Sequence, residues 1–169
     1  MKRTIILISV TLAIVGLLLT NRSIKSELYH LILDSLLSNS VTTINVRESQ
    51  DESDAIFIDA RENDEFEVSK IRGAIWVGYS DLDMAKLDDL PKNSPLIVYC
   101  SVGYRSEKVA EKLSSAGFED VSNLYGGIFE WVNEGYDIVD SSGMVTNKIH
   151  GYDRFWSRWL EGKVEKVYE

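Results

Sequence analysis

The residues best suited to chemistry stand together in one short segment, Cys100-Ser101-Val102-Gly103-Tyr104-Arg105-Ser106. Cys100 is the only cysteine of the chain, so neither an internal disulfide nor a cysteine-rich metal site can form. The two histidines, His30 and His150, lie far apart in sequence, which argues against a histidine-based metal site. A cysteine that closes an apolar strand and opens a helix meets inward-pointing backbone N–H groups and the positive end of the helix dipole. Arg105 adds a full positive charge, and Gly103 permits a turn that a side chain would obstruct. Such surroundings favour thiolate over thiol and make the sulfur a nucleophile. A buried, inert cysteine at a strand end fits the same position.

Positioning this segment requires a strand before Cys100 and a helix after it. Short apolar or β-branched runs predict strands at residues 43–46, 55–58, 74–77, 96–99 and 121–124. Between them, residues 62–68, 80–87, 106–116 and 128–133 read as helices. The runs Ile56-Phe57-Ile58 and Leu96-Ile97-Val98-Tyr99 are continuously apolar, as strands covered on both faces must be. Alternating strand and helix predicts an α/β fold with a mainly parallel sheet. Ligands of such sheets bind outside the carboxyl ends of the strands, where Cys100 falls. Val109, Leu113 and Ala116 give the helix after the loop an inward stripe, ended by Gly117.

The flanks differ in character. Residues 4–20 carry no charge and follow Lys2 and Arg3. That run suits an uncleaved membrane anchor, or alternatively a cleaved signal peptide, over residues 1–22. The basic pair preceding it places the remainder outside the cytoplasm, as a periplasmic or extracytoplasmic domain, secreted if the signal is cleaved. Residues 23–40 predict a juxtamembrane helix with Leu28, Leu31, Ile32, Leu36 and Leu37 at helical spacing. Its stripe would lie on the membrane or pack on the domain formed by residues 41–139. Residues 140–169 form a C-terminal extension, in which Tyr152, Phe155, Trp156, Trp159 and Leu160 predict one face of an amphipathic helix. That face would pack on the domain or receive a protein partner. With 18 basic and 27 acidic residues, the net charge of −9 excludes general binding of nucleic acid.

Four blocks in order resemble the rhodanese-homology family across residues 41–139. They are Asp59-Ala60-Arg61, Ile71-Arg72-Gly73-Ala74-Ile75, the Cys100 loop, and Tyr125-Gly126-Gly127 followed by Trp131 and Gly135-Tyr136. The resemblance implies a five-stranded parallel sheet flanked by helices. It further implies sulfur transfer through a persulfide on Cys100, from a thiosulfate- or polysulfide-type donor to a thiol or other nucleophile; no metal or cofactor is expected. Arg105 would then attract an anionic donor, and Asp59 and Arg61 would support the loop. Lys70 stands where the family often has histidine, and Ser101 where thiosulfate enzymes often have a second basic residue. Trp76, Tyr79 and Tyr104 are candidates either for the pocket wall or for plain packing.

Two other functions compete. A phosphatase of related fold needs five residues between cysteine and arginine; here four intervene. A non-catalytic, partner-binding module of the same fold remains open, and a cysteine persulfide formed on treatment with a sulfane donor separates it from the enzyme.

Overall fold

The computed structural model describes residues 22–168. The expected membrane span falls outside the described residues. Among the described residues, no helix is long and apolar enough to cross a membrane.

The apolar runs form five strands: β1 (Thr42–Ile44), β2 (Ile56–Asp59), β3 (Ile75–Trp76), β4 (Pro95–Tyr99) and β5 (Asp120–Leu124). They pair in the order β1-β5-β4-β2-β3, and every pairing is parallel. β4 lies at the centre, so both of its faces are covered and all four residues from Leu96 to Tyr99 are buried. Its side chains divide by strand alternation. Leu96 and Val98 pack with Val109, Ala110 and Leu113, whereas Ile97 and Tyr99 pack with Ile128, Phe129 and Trp131. The sheet thus sits between two layers.

Among the described residues, five helices and one 3-10 turn flank it. α1 (Arg22–Leu36) precedes the sheet; α2 (Val46–Asp51), α3 (Asn63–Val68), α4 (Tyr104–Ser115) and α5 (Gly127–Asn133) follow β1, β2, β4 and β5. The helix expected over 80–87 shortens to one 3-10 turn, Met84–Leu87, which Asp83 caps by accepting from the Ala85 N–H. The expected strand through 46 stops at Ile44 because Asn45 and Glu48 form a capping box that starts α2. In α4 the inward positions are Val109, Ala110 and Leu113, while Ala116 is exposed.

Both flanks fold onto the domain. α1 buries Tyr29 and Leu33, and Leu37 just past its end is buried as well; Leu31, expected in the stripe, is exposed. The Glu107 carboxylate accepts from the Ser38 and Ser40 N–H groups and the Ser38 hydroxyl, clamping the link between α1 and β1. The amphipathic helix expected in the tail does not form. Instead β6 (Ile138–Val139) pairs antiparallel with β7 (Val145–Thr146), and β8 (Lys148–His150) pairs parallel with β9 (Glu165–Val167). Between the last two, Tyr152 adopts a positive φ of 59°, and the Asp153 carboxylate accepts from the Phe155 and Trp156 N–H groups. Those local bonds compete with a continuous helix, and only a 3-10 turn, Ser157–Trp159, remains. The five tail residues therefore share no face: Trp159 and Leu160 are buried, while Tyr152 and Phe155 are about half exposed (46% and 47%).

Candidate active site

Cys100 follows the last residue of β4, buried at the carboxyl end of the sheet. The Gly103 N–H donates to its Sγ at 3.1 Å. Gly103 has φ +105°, a conformation that side chains rarely adopt, and the turn it makes brings that N–H back onto the sulfur. Its carbonyl is fixed in turn: Asn123 Nδ2 donates to it at 3.0 Å. The Ser106 hydroxyl lies between the same carbonyl (3.0 Å) and Asn123 Oδ1 (2.7 Å). Asn123 lies in β5, so the neighbouring strand holds the loop.

The loop is also held from behind. At the start of α5, the Ile128 N–H donates to the Cys100 carbonyl at 2.9 Å and the Phe129 N–H to the Ser101 carbonyl at 3.1 Å. The approach is so close that a Cβ on Gly127 would stand 2.2 Å from the Cys100 carbonyl oxygen. This contact gives the paired glycines noted in the sequence a physical reason.

Arg105 is not the free cation that the sequence suggests. Its Nη1 and Nη2 donate to the two oxygens of Glu65 on α3, at 2.6 and 2.8 Å. Ser101 Oγ donates to the same carboxylate at 2.7 Å, and Arg105 Nη2 reaches that hydroxyl at 3.0 Å. Burial pushes the Glu65 carboxyl up, but the hydrogen bonds and charge of Arg105, aided by Arg61 and Ser101, outweigh it and hold it at about 2. Arg105 is shifted the opposite way: burial opposes its charge, but Glu65 restores it, leaving the guanidinium more basic than usual. The arginine is thus always charged and always answered. Tyr152 lies over its other side, with the ring centre 4.8 Å from Cζ.

Asp59 and Arg61 form a second, fully buried pair. Arg61 Nε and Nη2 donate to the Asp59 carboxylate, and Nη2 also donates to the Ser69 carbonyl at 2.6 Å. The Arg61 carbonyl accepts from Trp76 Nε1 at 2.8 Å. These bonds tie the end of β2 to the segment after α3. They help place the helix that carries Glu65, and the Arg61 guanidinium also lies 5.6 Å from the ring of Tyr99, the residue before Cys100.

A pocket of about 190 Å³ opens over Cys100, lined by Ser101, Val102, Tyr104, Arg105, Leu36, Tyr152 and Trp156. Tyr104 therefore belongs to the wall. Tyr79 lies 6.0 Å from the Arg105 guanidinium, behind the pocket, and Trp76 stacks on Phe66 outside it. Glu65 is a site residue that the sequence pattern does not reveal; Leu36 stands out there only in an apolar stripe for the membrane or the domain, and Tyr152 and Trp156 only in a face for packing or for a partner. Among the described residues, no group of three or more His, Cys, Asp or Glu side chains is placed to hold a metal ion. The arrangement presents a sulfur nucleophile, one N–H donor on that sulfur, and a small pocket above it.

Known proteins share this architecture. The tRNA uridine(34) hydroxylase of Staphylococcus aureus is 33% identical over 98 residues, 52% of this chain and 29% of that protein. The "Adenylyltransferase and sulfurtransferase UBA4" of Meyerozyma guilliermondii is 32% identical over 89 residues, 48% of this chain and 21% of that protein. The chain thus spans less than a third of the length of these curated relatives. Among solved structures, a thiosulfate sulfurtransferase from Pseudomonas aeruginosa superposes with a TM-score of 0.53 at 26% identity, covering 62% of this chain and 21% of that one. The rhodanese-like domain of an Anabaena protein gives 0.53 at 25% identity, covering 59% and 80%. With the parallel sheet, the cysteine loop and the buttressing glycines in place, and with the rhodanese-like domain matching residues 42–134, the chain belongs to the rhodanese-like domain family.

Proposed function

We propose that this protein is a sulfurtransferase that carries a sulfane sulfur atom on Cys100. The observation that carries the reading is the buried Sγ below an open pocket, with the Gly103 N–H donating to it at 3.1 Å. The donor's S–S bond breaks as a bond forms between Sγ and the sulfane sulfur, and the electron pair leaves with the rest of the donor. In the second half-reaction an acceptor thiolate attacks the outer sulfur, and Cys100 departs as thiolate. The sulfurtransferases among the similar proteins support this chemistry. With no second cysteine in the chain, the persulfide is discharged only from outside. Kinetics are then ping-pong, with an isolable intermediate.

Treatment with inorganic polysulfide, followed by mass spectrometry of the Cys100 peptide, tests the reading. One added sulfur, absent from Cys100→Ser, is expected; an unmodified peptide with every sulfane donor tried rejects it. The uncharged run over 4–20 behind Lys2 and Arg3 supports a membrane-anchored, extracytoplasmic placement, which fractionation of the full-length protein tests.

A further inference from the structure

We propose that the pocket over Cys100 takes a small, uncharged, apolar thiol as its sulfur acceptor, and that Leu36, Tyr152 and Trp156 impose this choice. The proposal rests on the sulfurtransferase reading and names the substrate class of its second half-reaction.

The three residues come from outside residues 42–134, the span that defines the family. Leu36 ends α1, and Tyr152 and Trp156 belong to the tail. They are held in place. α1 is fixed by the Tyr29 hydroxyl donating to the Gly126 carbonyl at 3.3 Å and by the Glu107 clamp on Ser38. The strained backbone of Tyr152, with φ 59°, is secured by its N–H donating to Nδ1 of the buried His150 at 3.2 Å. The Trp156 N–H is taken by Asp153. A non-glycine residue held at positive φ over a pocket is a built wall rather than a loose end.

Charge points the same way. Among the described residues, Arg105 is the one cationic side chain lining the pocket, and Glu65 answers it with two hydrogen bonds. A carboxylate or sulfonate entering here would shed water and find no unanswered positive charge, which is costly. The chain's net charge of −9 opposes its approach at long range as well. An alkyl or aryl group gains instead by covering Leu36, Tyr152 and Trp156. At about 190 Å³, the pocket is smaller than the roughly 300–1,000 Å³ usual for drug-sized ligands, and so suits one ring or a short chain.

The step balances without an oxidant or a protein base. The neutral thiol R–SH gives its proton to the outer sulfur of the Cys100 persulfide anion. The resulting thiolate attacks that sulfur, the Sγ–S bond breaks, and the electron pair returns to Cys100 as thiolate. The product R–S–SH carries the proton away. Total charge is the same before and after.

The test loads the full-length protein with inorganic polysulfide, confirms the added sulfur by mass, and follows its loss on mixing with benzyl thiol, 2-mercaptoethanol or 3-mercaptopropionate, each rate corrected for thiol ionisation. Benzyl thiol is expected to discharge Cys100 at least about tenfold faster than mercaptopropionate, with 2-mercaptoethanol between. Tyr152→Ala, at a half-exposed position, and Trp156→Ala should each shrink the benzyl advantage to about threefold or less. Phe155→Ala, beside the wall but outside it, should not. Equal rates for the apolar and anionic thiols, or a benzyl preference unchanged in both wall variants, overturns the proposal while leaving the sulfurtransferase reading intact. Failure of every sulfane donor tried to load sulfur on Cys100 overturns both.

Discussion

Glu65 and Arg105 meet side by side, each guanidinium Nη facing its own carboxylate oxygen, at 2.6 and 2.8 Å. The two residues lie on different elements, α3 and the start of α4, and both are buried. α3 is held in turn by the Asp59–Arg61 pair, whose guanidinium grips the Ser69 carbonyl just beyond the helix. The end of one strand thus fixes a helix, the helix supplies a carboxylate, and the carboxylate removes the net charge from the loop of the next strand. Thiosulfate, a dianion, would meet no net positive charge.

Removing that carboxylate charge should change donor preference. Glu65→Gln keeps the side chain's shape and one acceptor oxygen but leaves Arg105 unanswered beside the pocket. Loading of Cys100 by thiosulfate, relative to alkylation of the same sulfur by neutral iodoacetamide, should rise by about tenfold, equivalent to ~1.4 kcal/mol. The gain should shrink as salt is added. Stopped-flow loading rates at two ionic strengths check it, and an unaltered ratio would show that Arg105 acts only as a brace.

The same pair sets an acid limit on stability. The folded protein holds the Glu65 carboxyl at about 2, whereas an unfolded glutamate titrates near 4.3. A depressed carboxyl stabilises the fold fully above its unfolded value, and that contribution disappears as pH falls through the folded value. The stability difference between the native protein and Glu65→Gln should therefore shrink, by on the order of 3 kcal/mol, between pH 5 and pH 2. Urea midpoints across that range measure it; parallel curves for the two proteins would exclude the pair as the source.

The elements around the site differ in how openly the sequence shows them, and the reasons are physical. Residues 96–99 read as a strand because a central parallel strand must be apolar on both faces, and Cys100, Gly103 and Arg105 are visible as a loop because they are near neighbours. Glu65 is hidden: its partner lies 40 positions away, and Asn63-Asp64-Glu65-Phe66-Glu67 looks like a solvated acidic turn. α2 left a signal in Asn45 and Glu48, a capping box that propensity over six residues does not announce. The tail misleads because its helical spacing is real, yet strand pairing outside it and close packing inside it win. Close packing is seen at Gly151, where a Cβ would stand 2.8 Å from the Tyr168 ring and 2.9 Å from the Ser157 Cβ.

Two glycines of the site should respond differently to alanine. At Gly127 a Cβ would sit 2.2 Å from the Cys100 carbonyl oxygen and 2.9 Å from the Ser101 carbonyl carbon, both backbone atoms with little room to move. At Gly103 the nearest atoms are 3.5 Å away, so only the backbone conformation resists. Gly103→Ala should cost about 1–2 kcal/mol, whereas Gly127→Ala should cost more and shift the loop itself, abolishing sulfur loading even where the chain still folds. Denaturation midpoints together with mass-detected loading separate the two; a fully active Gly127→Ala would mean that α5 does not brace the loop.

The tail aromatics divide by burial rather than by helical face, and their substitutions should divide in the same way. Trp159 is buried and stacks on Tyr29 of α1, with ring centres 5.5 Å apart. Asn133 of α5 donates to its carbonyl at 3.0 Å. It joins both flanks to the core. Trp159→Ala should therefore cost about 3–5 kcal/mol, the usual penalty for emptying a large aromatic site. It should also loosen α1, which faces the emptied space. Trp156 is only partly buried and forms pocket wall rather than core, so Trp156→Ala should cost less than half as much and act chiefly on acceptor choice. Thermal unfolding ranks the two, and hydrogen exchange over α1 reports the loosening. Equal costs, or faster exchange in α1 on losing Trp156 but not Trp159, would contradict this division between core and wall.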